Sequence, residues 1–161
     1  MLRLSNLADY GVVVMTAAAR IAEGRVAADG RHASAAQVAT LTGIPAPTVA
    51  KLMGQLARGG LLVSHRGVAG GFALARPAPE ISLADIVEAI DGPIALTHCG
   101  QPGADCDLSH NCAVRPHWAP VNNAVKAALA QVSLADLAPP SVRKPAQLPN
   151  QLPVGDQKQF A

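Results

Sequence analysis

The chain is 161 residues long and half hydrophobic, and its net charge of +2 hides an asymmetry: residues 1–76 carry eight Lys or Arg against three acids, residues 77–138 two against seven. That size suits one compact domain with an extension, and no apolar run approaches the roughly 18 residues that cross a bilayer, so a soluble cytoplasmic protein is expected. Only Tyr10, Phe72, Trp118 and Phe160 are aromatic, too few for the stacking platforms that read single strands, whereas a basic front half suits the phosphates of duplex DNA.

In chain order, Ser5 can cap a first helix in which Leu7, Tyr10, Val14, Ala18 and Ile21 recur at helical spacing, with Gly24 as a stop. Residues 25–33 read as a loop. Ser34-Ala-Ala-Gln37 has capping-box spacing and predicts a short second helix, with Val38 and Leu41 on its inner face and Thr42-Gly43 at its end. Pro47 suits the first position of a third helix, whose Val49, Leu52, Met53 and Leu56 form an apolar stripe before Gly59-Gly60. Two short helices joined by a glycine-containing turn match a helix-turn-helix. Leu61–Ser64 and Phe72–Ala75 then read as strands around Arg66-Gly-Val-Ala-Gly-Gly71, a small wing with an arginine at its tip.

Ser82-Leu-Ala-Asp85 caps a further helix through Ile86, Val87 and Ile90, closed by Gly92-Pro93. Pro116 opens a longer one, where Trp118, Val121, Val125, Leu129 and Val132 make a stripe with few local partners. A second copy of the chain is the expected cover, since a paired reader engages two half-sites together. Ser133-Leu-Ala-Asp136 caps a last turn, Pro139-Pro140 ends it, and the remainder to Ala161 reads as a disordered tail. The expected fold is mainly α with a small β-hairpin. Its divisions are a winged helix-turn-helix over 1–78, a connecting helix, cysteine loop and dimerisation helix over 79–138, and the tail over 139–161.

Between the last two long helices lie the only three cysteines, Cys99, Cys106 and Cys112. Tight Cys-x2-Cys pairs of structural zinc sites are absent, and the wide spacing in a Gly/Pro-broken loop suits an iron-sulfur cluster. Such a cluster needs a fourth donor, and His98, His110 and His117 are close in sequence. Zinc completed by a histidine and ordinary or redox-responsive thiols are the alternatives. An odd cysteine count with no signal peptide before Met1-Leu2-Arg3 argues against a disulfide. No Ser/His/Asp arrangement, nucleotide loop or paired carboxylates points to an enzyme.

The opening Leu2-Arg-Leu-Ser-Asn-Leu-Ala-Asp-Tyr10, the wing Ser64-His-Arg-Gly-Val-Ala-Gly-Gly-Phe-Ala-Leu-Ala-Arg76, the helix Ile81–Pro93 and the three cysteines resemble the Rrf2 family of bacterial winged-helix regulators. Within that family, which includes IscR-like and NsrR-like cluster regulators, Cys112-Ala-Val-Arg-Pro-His-Trp118 and Val132–Asp136 are most similar to the branch that regulates SUF iron-sulfur assembly genes. The resemblance covers residues 1–138 and implies a DNA-binding homodimer in which Cys99, Cys106 and Cys112 hold a 2Fe-2S or 4Fe-4S cluster. The chain departs from the family pattern at Arg115, where a ligating His would stand three residues after the last cysteine. Relatives that use an Asp of the first helix, reaching over from the partner subunit, have it at the place of Asp9. The fourth ligand is thus open among Asp9, His98, His110 and His117. Operator contacts are expected from Thr48, Lys51 and Gln55 on the third helix, with Arg66 at the wing tip and Ser64 and His65 meeting phosphate.

Overall fold

A computed structural model describes residues 4–24, 32–67, 70–97 and 112–138. Its elements are α1 (Asn6–Ala22), α2 (Ala35–Thr42), α3 (Ala46–Arg58), β1 (Leu62–His65), β2 (Gly71–Leu74), a 3-10 turn (Ala78–Glu80), α4 (Leu83–Asp91), α5 (Arg115–Ala130) and α6 (Leu134–Leu137). Serine hydroxyls open four of the helices. Ser5 Oγ accepts from the Ala8 N–H at 2.9 Å, and Ser34, Ser82 and Ser133 each make a full capping box, with Gln37, Asp85 and Asp136 reaching back. Each such cap satisfies donors that a helix start leaves bare, at about 1 kcal/mol. The turn from α2 to α3 needs a positive φ, and Gly43 supplies it at +73°. No described helix is long and apolar enough to cross a membrane.

One apolar core runs through the described residues. Val14, Met15 and Ile21 of α1, Val38 of α2, and Val49, Leu52, Met53 and Leu56 of α3 are buried together with Leu61, Leu62, Ile81, Ile86 and Leu134. Sealing a side chain of this size contributes about 1.5–3 kcal/mol, so the periodic stripes account for the docking of these helices. Three expected inner positions lie elsewhere. Leu41 is 46% exposed, since the short α2 packs with Val38 alone, and on α1 the stripe is buried only from Val14 onward, leaving Leu7 and Tyr10 at the surface.

The hairpin forms one residue away from its expected place on each strand, pairing Leu62 with Leu74 and His65 with Gly71. Residues 32–33, expected in a loop, join it: Ala33 and Phe72 exchange both backbone hydrogen bonds, at 2.7 and 2.9 Å. The 3-10 turn was not anticipated from the sequence. Past it, the two Ser-Leu-Ala-Asp segments face one another. Leu83 N–H donates to the Val132 carbonyl (2.8 Å) and Leu134 N–H to the Ile81 carbonyl (2.7 Å), an antiparallel bridge centred on Ser82 and Ser133. The end of α5 is thereby clasped to the start of α4.

Helix α5 carries Pro116 in its first turn and Pro120 inside it, so the Pro116 carbonyl lacks its helical donor. Its expected apolar stripe is only partly covered: Trp118, Val125 and Leu129 are half-buried and Val121 is 42% exposed. The buried residue is Asn122, whose Oδ1 accepts the Leu96 N–H at 3.0 Å. Lys126 reaches the Glu88 carboxylate at 2.9 Å and fixes α5 along α4. The segment expected as a disordered tail, 139–161, lies outside the described residues.

Candidate nucleic-acid interface and cysteine loop

From Gly30 to Pro79 the chain contains no acidic residue, and this stretch makes up α2, α3 and the hairpin. Within it, Lys51, Arg58 and Arg66 have no acidic partner among the described residues. Arg76, near the end of the stretch, pairs with Asp85 at 3.4 Å, and Lys126 of α5 pairs with Glu88. Unpaired cations on one set of elements leave a positive surface, which is what a polyanion requires.

Helix α3 is divided lengthwise. Val49, Leu52, Met53 and Leu56 face the core, while Ala46, Pro47, Ala50, Lys51 and Arg58 are exposed. Thr48 is half-buried at the flank. Gln55 is also half-buried, and its Oε1 is enclosed with no hydrogen-bond partner among the described residues, so it lies at the inner margin of the exposed face. Sequence reasoning passed over Arg58, which is seven residues beyond Lys51 and two turns along the same face. Its guanidinium folds back over Gly54, where an added Cβ would lie 3.7 Å from Nη1. Lys51 and Arg58 thus bracket a patch of small residues, Ala50 and Gly54, over which another surface can come close.

At the hairpin, Ser64, His65 and Arg66 are all exposed. The His65 ring stacks on that of His32, with centroids 4.2 Å apart and planes 16° from parallel.

Of the cysteine loop, Cys112 is described: a free, half-buried thiol three residues before α5 begins. Cys99, Cys106, His98 and His110 lie outside the described residues. The loop lies between α4 and α5 in the chain. The C-terminus of α4 leads into it, α5 leads out of it, and the start of α1 is tied to the end of α4 by Ser5 Oγ donating to Asp91 Oδ1 at 2.7 Å.

Acids on these helices differ in their engagements. Asp91 is held by Ser5, Glu88 by Lys126, and Asp85 by its capping box and Arg76. Burial pushes the Asp85 carboxyl up, but the Ser82 N–H and hydroxyl and the Arg76 guanidinium outweigh it and hold the group below the ordinary carboxylate value. Asp9, in the first turn of α1, is exposed, and its carboxylate has no partner among the described residues. His117, in the first turn of α5, is exposed as well. A cysteine sulfur with a carboxylate or imidazole is a donor chemistry that fits an iron centre, while among the described residues no three such side chains stand together to hold a metal ion.

A family model for Rrf2, described as an iron-dependent transcriptional regulator, matches residues 4–140. An HTH-type transcriptional regulator of Mycobacterium tuberculosis H37Rv is 34% identical over 140 residues, which are 85% of this chain and 81% of that protein. Among solved structures, CymR, the global cysteine regulator of B. subtilis, is 27% identical with a TM-score of 0.61, covering 86% of this chain and 97% of its own. IscR of T. potens is 26% identical with a TM-score of 0.58, covering 84% and 85%.

Proposed function

The chain belongs to the Rrf2 family of transcriptional regulators, which are not enzymes, and from that premise we propose that it is an iron-sulfur-cluster-dependent, DNA-binding regulator of SUF iron-sulfur assembly genes. The observation that carries this reading is that every cysteine of the chain lies in the segment between α4 and α5, with the start of α1 held to the end of α4 by Ser5 and Asp91. Cys99, Cys106 and Cys112 are the thiolate ligands, and the fourth comes from Asp9, His98, His110 or His117. The unengaged Asp9 carboxylate favours the first of these. A cluster bound there supplies a dissociable, redox-active centre.

The protein's own parts translate that state. Cys112 runs directly into α5, so fixing the thiol fixes the near end of α5, while the Ser82–Ser133 bridge already fixes the far end. Helix α5 pairs with that of a second copy through the partly open Trp118, Val121, Val125 and Leu129 stripe, which sets the spacing of two recognition helices. Thr48, Lys51 and Gln55 then meet the major groove, while Arg66 enters the minor groove with Ser64 and His65 on phosphate. A coupling of about 1–3 kcal/mol suffices for such a switch.

A second reading is favoured by the likeness to CymR, which has also been solved in an oxidised form in Staphylococcus aureus at 26% identity to this chain: a metal-free regulator that senses through thiol oxidation. Zinc in place of the cluster is the remaining variant of the site. Anaerobic purification separates the three. The cluster reading expects a coloured protein with iron and sulfide in stoichiometric amount, lost together in Cys112→Ala. It also expects promoter DNA to bind the cluster-loaded and cluster-free forms with different affinity. Colourless, iron-free protein with zinc, or with no metal, selects one of the alternatives.

A further inference from the structure

We propose that the groove bounded by α1, α2 and α6 is a binding site for a small aliphatic monocarboxylate, held by Arg20. The groove has a volume of about 450 Å³, within the range of about 300–1,000 Å³ usual for small-molecule sites. Its walls are aliphatic: Val12, Val13 and Ala17 come from α1, Leu41 from α2 and Leu137 from α6. Val13 is 39% exposed and Leu41 46%, so two large apolar side chains of one groove face water. An apolar occupant that covers them is favoured by the hydrophobic effect.

The polar groups select the head of the ligand. Thr16 Oγ1 donates to the Val12 carbonyl at 2.8 Å and Thr42 Oγ1 to the Val38 carbonyl at 2.7 Å, so both hydroxyl protons are engaged within their own helices. The remaining side-chain donor of the groove is the Arg20 guanidinium, in the last turn of α1, which is exposed and has no partner among the described residues. No acidic residue lines the groove to compete for it, and no second base lines it to balance a doubly charged phosphate. A planar guanidinium takes both oxygens of one carboxylate as a bidentate pair. With no aromatic ring among the lining residues, the body that fits behind this head is aliphatic. Such an occupant also bears on the helix-turn-helix. Helix α2 has Val38 as its buried residue and packs on both α1 and α3, and a ligand spanning Val13 and Leu41 adds a second hold on it. The site itself stands apart from the DNA-binding reading; its influence on α3 rests on that reading.

The test uses the full-length protein with hexanoate as the probe. Calorimetry should show saturable binding, and hydrogen exchange should slow in α2 when hexanoate is bound. Hexanamide has the same shape without the charge and should bind about tenfold more weakly or worse, and Arg20→Gln should lower hexanoate affinity to that level, as loss of a charge-assisted pair requires. Leu41→Asp, at an exposed position, should abolish hexanoate binding and leave the fold intact by circular dichroism. Binding that is absent, that leaves exchange in α2 unchanged, or that is the same in Arg20→Gln and Leu41→Asp as in the wild type overturns the site. Hexanoate that binds only in a Leu148→Asp, Leu152→Asp variant overturns it too, by assigning the groove to the chain's own segment beyond Ala138, as does binding that appears only on dilution to monomer, which assigns it to a second copy. The DNA-binding reading survives each of these outcomes and fails separately, if the full-length protein selects no duplex from a randomised pool.

Discussion

Helices α3 and α5 carry apolar stripes of similar spacing that end in opposite places. In α3 every stripe position is sealed in the core, whereas along α5 Val121 is 42% exposed and the one buried residue among those described is the polar Asn122. An amphipathic pattern thus says that a face wants cover and nothing about what covers it. In α3 the cover is α1, α2 and α4 of the same chain. For α5 the proposal is a second copy, with the Asn122 and Lys126 contacts to the α4 side setting how the helix is rotated.

The contrast can be broken at its strong end. Leu52→Ala should cost about 2–5 kcal/mol in chemical denaturation, because it empties a fully enclosed site, while Val121→Lys should leave the fold intact and convert dimer to monomer in sedimentation. A smaller effect comes from the rotation of α5. Asn122→Ala removes the acceptor of the Leu96 N–H and should cost about 1–3 kcal/mol, read as lost hydrogen-exchange protection around residue 96. Smallest is the cap. Ser82→Ala should cost about 1 kcal/mol by thermal melting.

The same cap has a pH signature. Asp85 is held below its ordinary value in the fold, so the stability it adds is present above the unfolded carboxylate pKa near 3.8 and drains away as pH falls through the lower folded value. Asp85→Asn should flatten that part of the acid-denaturation profile.

Local chemistry was the legible part. Ser34, Ser82 and Ser133 are readable as caps because the hydroxyl, the N–H it accepts from and the returning side chain lie within four residues. The two short helices, the wing and the last turn follow from such signals. The errors share a cause, which is contact between distant residues. Ala33 looks like loop sequence, and only Phe72, far along the chain, makes it part of the hairpin. Gly71 reads as turn material in a glycine-rich run, yet it is a ladder residue opposite His65. Leu41 has the spacing of an inner residue on a helix too short to use it. In the candidate site, the acid-free run between Asp29 and Glu80 and the Lys51–Arg58 spacing were both in the sequence and pointed to a cationic face. The stacking of His32 on His65 had no sequence signal, since it depends on where β2 passes between them.

The clasp between the paired Ser-Leu-Ala-Asp segments holds one end of α5 and leaves the other to follow Cys112. A strut hinged in this way converts any displacement at the thiol into a swing that is widest in its first turn. Trp118, the only tryptophan of the chain, stands there half-buried, so the molecule carries its own fluorescent gauge at the point of greatest travel.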